Sequence, residues 1–274
     1  MIGDWVKLAR LNNALVAGLG VWLGHACLPG PMDWRSATLG FLALAMLAAA
    51  GNMQNDALDL AADRINRPHR PLPSGRLARK SALRVSAALY FTAVALASVL
   101  GAAAGGLAAG MALLLCLYNL KLKSLPLWGN LAVAALCALA VYFPEFPGFP
   151  ARTGLPALFA FLTTLAREIA KDAEDVPGDT AVGWSTFPIR YGNRASRSAM
   201  RLLSALILLL LPLPYLWLDY HPGYILLILL GPVPLLIGVL RGLSRPAPDW
   251  GKIQRRFKWI MLAGMASIFM GIYG

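Results

Sequence analysis

The chain has 274 residues, 58% of them hydrophobic and 14% charged, with a mean hydropathy of +0.61. That balance excludes an ordinary soluble domain, and runs of roughly 20 uncharged residues mark a polytopic membrane protein. A net charge of +12 would suit nucleic acid, but Lys and Arg fall on alternate loops between the apolar runs, which is a membrane-topology pattern and excludes that partner.

In chain order, nine stretches are expected to be membrane-spanning helices: 12–28, 37–54, 83–100, 104–120, 125–143, 154–171, 200–218, 223–240 and 257–273. The first follows Lys7 and Arg10, and no small-residue cleavage pattern trails it, so it reads as a span rather than a signal peptide. Gly101 to Gly110 marks a tight turn with close helix packing, and the prolines from Pro144 to Pro150 separate the fifth and sixth spans. Cys27, Cys116 and Cys137 lie within spans without metal-ligand spacing and read as packing residues. Basic residues at Lys7 and Arg10, Arg64 to Arg84, Lys121 and Lys123, Arg190 to Arg201, and Arg241 to Lys258 share one side, with Arg35 and Arg152 on the other. This asymmetry puts the N-terminus in the cytoplasm and the C-terminus outside. Residues 1–274 read as one all-α transmembrane domain.

Spans two and six each end in an acidic cluster, and together these clusters hold eight of the thirteen carboxylates. Asn52, Asp56, Asp59 and Asp63 are spaced four, three and four apart, so a continuing helix would project them from one face. Glu168, Asp172, Asp175 and Asp179 repeat the spacing, although Pro177 and Gly178 are expected to break the helix before Asp179. Carboxylates crowd in this way only against a cation, because neighbouring like charges repel. Carboxylates and amide oxygens are hard ligands that suit magnesium, and no thiol or imidazole set favours zinc. Two such clusters suit a pair of metal positions around a diphosphate. The turn from Arg64 to Arg76, stiffened by prolines, adds guanidinium groups that match phosphate oxygens.

The run from Asn52 through Asn55, Asp56, Asp59 and Asp63 to Asn66-Arg67-Pro68 resembles the first aspartate motif of the UbiA superfamily of intramembrane prenyltransferases. Asp172-Ala-Glu-Asp175 with Asp179 is similar to its second motif, and the likeness covers essentially the whole chain. The resemblance implies a nine-helix bundle around a central cavity, with a cytoplasmic site. There Mg2+ holds a prenyl diphosphate, which ionises to an allylic cation captured by a lipid-like acceptor. It assigns Asp56, Asp59, Asp172, Asp175, Lys123 and Tyr118 to catalysis, and Asn52, Asp56, Asp59, Asp63, Glu168, Asp172, Asp175 and Asp179 to the metal. Substrate binding falls to Asn13, Asn52, Asn55, Arg64, Arg67, Lys121, Arg167, Lys171 and Arg190. The second motif, followed by Thr186-Phe-Pro188-Ile-Arg190, looks like members that transfer a geranylgeranyl group to geranylgeranylglyceryl phosphate. Pro177 and Trp184 depart from that pattern, so an aromatic acceptor stays open.

A surplus of cations near the clusters leans toward an acceptor that is itself a phosphate ester. Two other classes are weighed. A cation-coupled transporter predicts ionisable groups at mid-membrane, where the spans are almost charge-free. A cytidine-nucleotide alcohol phosphotransferase would not need a second cluster. No obligate protein partner is evident; membrane lipids are the surroundings.

Overall fold

The computed structural model describes residues 2–149 and 151–274, so Pro150, at the end of the expected proline-rich loop, lies outside the described residues. The described residues form α-helices and two short 3-10 turns. A short helix, α1 (Ile2–Ala9), precedes α2 (Leu11–Cys27) and α3 (Trp34–Leu58), then a short α4 (Leu60–Asn66). Next come α5 (Arg79–Ser98), α6 (Ala102–Leu120), α7 (Trp128–Tyr142) and the long α8 (Gly154–Ala181). The last part holds α9 (Phe187–Leu210), α10 (Leu213–Trp217), α11 (Gly223–Leu230), α12 (Pro232–Leu243) and α13 (Trp250–Tyr273).

The boundaries follow local chemistry. The Asp33 carboxylate caps α3 by accepting from the Arg35 and Ser36 amides, and Asp249 caps α13 by accepting from the Lys252 amide at 2.7 Å. Gly101, at φ 127°, makes the turn between α5 and α6. Pro212 and Pro232 end one helix segment and begin the next, which divides the seventh and eighth apolar stretches into paired helices.

Six helical segments are long and apolar enough to cross a membrane: Trp34–Leu58, Arg79–Ser98, Ala102–Leu120, Trp128–Glu145, Phe187–Trp217 and Gly223–Leu243. The remaining three expected spans are less clear by composition. α2 has only 17 residues, α8 carries the second acidic cluster, and α13 starts with Lys252, Arg255, Arg256 and Lys258. Large apolar side chains such as Phe91, Leu209, Trp217 and Leu230 face outward, as a lipid-facing surface requires.

Neighbour packing closes the helices into a ring: α2 on α3 and α7, α3 on α5 and α6, α7 on α8, α8 on α9 and α13, and α13 back on α2. The ring encloses a cavity of about 250 Å³, with apolar walls from Leu44, Leu47, Met111, Leu136, Ile207 and Ile268.

Two expectations about the acidic helices need correction. The first cluster does not lie on one continuous helix: α3 stops at Leu58, and Asp59 (φ −90°, ψ 14°) joins it to α4. Helical hydrogen bonds from the Asp59 and Asp63 amides to the Asn55 and Asp59 carbonyls nonetheless carry the chain across the junction, and Arg70 reaches both Asp56 and Asp63. Conversely, α8 continues past Pro177 and Gly178 to Ala181, so Asp175 and Asp179 stay one turn apart on the same helix.

Candidate active site

A small polar pocket of about 40 Å³ opens beside one end of the apolar cavity, and both acidic clusters reach it. From the first come Asn55, Asp59 and Asp63; from the second, Glu168, Asp172, Asp175 and Asp179. Arg67, Tyr118, Lys123 and Lys171 also line it. Residues more than 100 positions apart are thus brought together by the packing of α4 on α8.

Each acidic group has a different environment. Asp56, only 2% exposed, sits behind the pocket, ion-paired with Arg10 and with Arg70 at 3.1 Å. Arg70 also binds Asp63 at 2.7 Å, Arg67 binds Asp175 at 2.7 Å, and Lys123 pairs with Asp59. Glu168 takes Arg167 at 2.6 Å and Lys171 at 3.4 Å. Asp172 accepts from the Asn130 amide at 2.7 Å, and neither it nor Asp179 has an ion-pair partner among the described residues. Burial, with the Asp175 charge beside it, pushes the Asp179 carboxyl up to about 7.

Those two uncompensated carboxylates decide the fit to magnesium. Among the described residues, no three acidic, histidine or cysteine side chains converge as a closed metal cage. Magnesium does not need one, since it uses one or two carboxylates together with waters and phosphate oxygens. Asp172 and Asp179 offer hard oxygen donors whose charge protein cations leave unbalanced, and Asp59 and Asp63 line the same pocket. The donor set fits.

Several expected site residues lie elsewhere. Asn52 donates to the Ala9 carbonyl at 3.0 Å and lines the apolar cavity rather than the polar pocket. Asn13 and Arg167 also line the apolar cavity rather than the polar pocket. Arg64, Lys121 and Arg190 are exposed and line neither, Arg64 and Arg190 from helices and Lys121 from the turn after α6.

Other residues enter that sequence reasoning did not assign to the site. Arg10 lines both spaces and holds a left-handed backbone (φ 50°), uncommon for a non-glycine residue, at the α1–α2 junction. Its only sequence signal was its charge, which topology already explained. Asn130 is a polar residue within an apolar helix, a signal that was available. Asn119 ties α6 to α3 through the Gly51 carbonyl, Gln54 and Asn55 at 2.9 to 3.1 Å. The Trp184 ring lies 5.1 Å from Lys123 Nζ, a cation–π contact that steadies the lysine at the pocket.

Residues 15–262 match the UbiA prenyltransferase family. The chain is 36% identical to the digeranylgeranylglyceryl phosphate synthase of Methanopyrus kandleri over 271 residues, 98% of each chain. Among solved structures it is similar to one described as a digeranylgeranylglyceryl phosphate synthase in membranes, with TM-score 0.74, 29% identity, and coverage of 99% of this chain and 98% of that one. A UbiA homologue from Archaeoglobus fulgidus bound to DMAPP and Mg2+ matches with TM-score 0.71 and 20% identity, covering 98% of this chain and 99% of that one.

Proposed function

The chain belongs to the UbiA prenyltransferase family, and from that premise we propose that it transfers a geranylgeranyl group from its diphosphate to geranylgeranylglyceryl phosphate, using Mg2+ and forming an ether-lipid precursor. It is a prenyltransferase and a multi-pass membrane protein. The observation that carries the reading is the junction of two spaces. A polar pocket rich in carboxylates and cations meets an apolar cavity of about 250 Å³, and Arg10, Asn55, Tyr118, Glu168 and Lys171 line both. One end suits a diphosphate and the other a prenyl chain. The name borne by the Methanopyrus kandleri relative supports the acceptor.

In the mechanism, Asp172 and Asp179, with Asp59 and Asp63, would hold magnesium. When bound, the metal neutralises the diphosphate and makes it a better leaving group. Lys123, Lys171, Arg67 and Arg70 meet the diphosphate oxygens and take up the charge that grows as the allylic carbon–oxygen bond breaks. The apolar walls exclude water, which would otherwise quench the cation. The acceptor hydroxyl oxygen then forms the new carbon–oxygen bond and releases its proton, and diphosphate leaves.

We read residues 1–274 as one transmembrane domain with nine spans, the N-terminus and the site facing the cytoplasm and the C-terminus outside. The loop charges support this.

The test is transfer of radiolabel from geranylgeranyl diphosphate by the purified protein, offered geranylgeranylglyceryl phosphate or 4-hydroxybenzoate. Label is expected on the glyceryl phosphate, lost with a chelator and reduced about 100-fold or more in Asp172→Asn. Label on the aromatic acid instead would keep prenyl transfer and overturn the acceptor.

A further inference from the structure

An acceptor that carries a phosphate brings a second anion into the protein, and the cations of the polar pocket are assigned to the diphosphate and matched by nearby carboxylates. Arg67 is held by Asp175, Arg70 by Asp56 and Asp63, and Lys123 by Asp59. The wall of the apolar cavity is different. Arg167 and Lys171 from α8 and Lys258 from α13 all line it, and the one carboxylate on that wall is Glu168. Glu168 is shared by Arg167 and Lys171. Lys258 has no carboxylate partner among the described residues, and its ammonium instead donates to Asn13 Oδ1 on α2 at 3.2 Å. Arg10 lines the wall too but is balanced by Asp56 behind the pocket, which leaves Arg167, Lys171 and Lys258 against Glu168 and the wall positive.

A further polar group waits at the same place. Thr164, one turn before Arg167 on α8, is 1% exposed, and its hydroxyl has no hydrogen-bond partner, with only the weak thiol of Cys137 near it. Buried hydroxyls are normally satisfied, so an orphan lining a cavity points to a polar ligand. A lysine that serves only topology at the start of a span extends into water. This one turns inward, across to α2.

We propose that Arg167 and Lys258, with Asn13 and Thr164, form a second anion site in the cavity wall that takes the phosphate of the acceptor, apart from the diphosphate pocket. This rests on the acceptor reading above. The site would favour a phosphate ester over a neutral acceptor, because leaving the phosphate outside forfeits its charge-assisted hydrogen bonds.

The test is direct binding by calorimetry in detergent, with geranylgeranylglyceryl phosphate and, separately, geranylgeranyl diphosphate with Mg2+. In Lys258→Met, affinity for the glyceryl phosphate should fall about tenfold or more, whereas Lys258→Arg should stay within about threefold of the wild type. Diphosphate affinity should be unchanged in both. Wild-type acceptor affinity in Lys258→Met would overturn the inference. Should that variant not bind diphosphate, and so be misfolded, Thr164→Val and Asn13→Ala carry the test: weaker acceptor binding in both supports the site, and unchanged binding overturns it. A wild-type protein that binds the diphosphate but no glyceryl phosphate would instead overturn the acceptor reading itself.

Discussion

Asn66 links the two acidic clusters through one side chain. Pro177 lacks a backbone N–H, so α8 loses a hydrogen bond in the turn that separates Asp172 and Asp175 from Asp179. There the Asn66 amide donates to the Asp175 carbonyl at 3.1 Å and accepts from the Gly178 N–H at 2.9 Å. A Cβ at Gly178 would overlap that amide and displace the Asn66 side chain. In Asn66→Ala, both backbone groups lose their partner at a half-buried place. The expected cost is about 1–3 kcal/mol of stability, read by denaturation in detergent. Turnover should fall about tenfold as Asp175 and Asp179 lose alignment, a size set by the rate sensitivity to small misplacements. Gly178→Ala should move both measurements the same way. Asn66 stood in the Asn-Arg-Pro turn of the sequence, yet nothing in its spacing revealed that it would splint a helix more than 100 positions later. For the same reason Asp56 was legible as acidic but not as a group set behind the pocket by Arg10 and Arg70, since that depends on contacts between distant segments.

Between helices, the closest approach that shapes the cavity is α2 against α7. Gly20 and Gly24 lie four apart on α2: a Cβ at 20 would sit 3.4 Å from Ala140 Cβ, and one at 24 would run into the Val141 carbonyl. Small residues at this spacing let helices pack with their backbones nearly touching. Alanine in place of glycine inside a helix ordinarily adds about 1 kcal/mol of stability. At position 24 the sign should reverse, because backbone rather than a flexible side chain blocks the new atom. Gly24→Leu should lower the melting temperature in detergent clearly more than Gly24→Ala, with overpacking costing about 1–3 kcal/mol. A melting temperature at or above that of the wild type would show that α2 and α7 are free to separate. The apolar runs predicted where helices occur, because hydrophobicity alone drives that signal. The interruption at Asp59 was not legible, since Asp56 to Asp63 keeps helical spacing right through it.

The six clearly apolar segments are an even number and the nine expected spans an odd one, so the two counts put the termini on the same or on opposite sides. The polar pocket constrains the choice. Arg10 at the start of α2, Asp59 at the end of α3, Lys123 after α6 and Asp172 on α8 all line it, so they share one end of the bundle. α3 crosses, and with both Arg10 and Asp59 at the pocket end, α2 must cross as well. α7 leaves the pocket end after Lys123, so only a crossing by α8 returns Asp172 to it. At its start α13 meets α8, where Gln254 donates to Glu174 at 3.3 Å; at its far end the Gly271 carbonyl accepts from the His221 amide at 2.8 Å, in the turn between α10 and α11. That turn follows one further crossing from the pocket, which supports a crossing by α13 as well. We therefore propose nine crossings, three more than the six clearly apolar segments, with the loop charges orienting the pocket toward the cytoplasm. Reporters fused to the two termini should therefore read opposite sides, cytoplasmic at the N-terminus and external at the C-terminus. A cysteine replacing Arg64 should be labelled by a membrane-impermeant thiol reagent only after the membrane is opened, and one replacing Arg152 without opening it. Both termini on one side would mean that one of α2, α8 and α13 fails to cross; for α2 or α8 the pocket could not then gather its residues from a single face, whereas α13 lends it none.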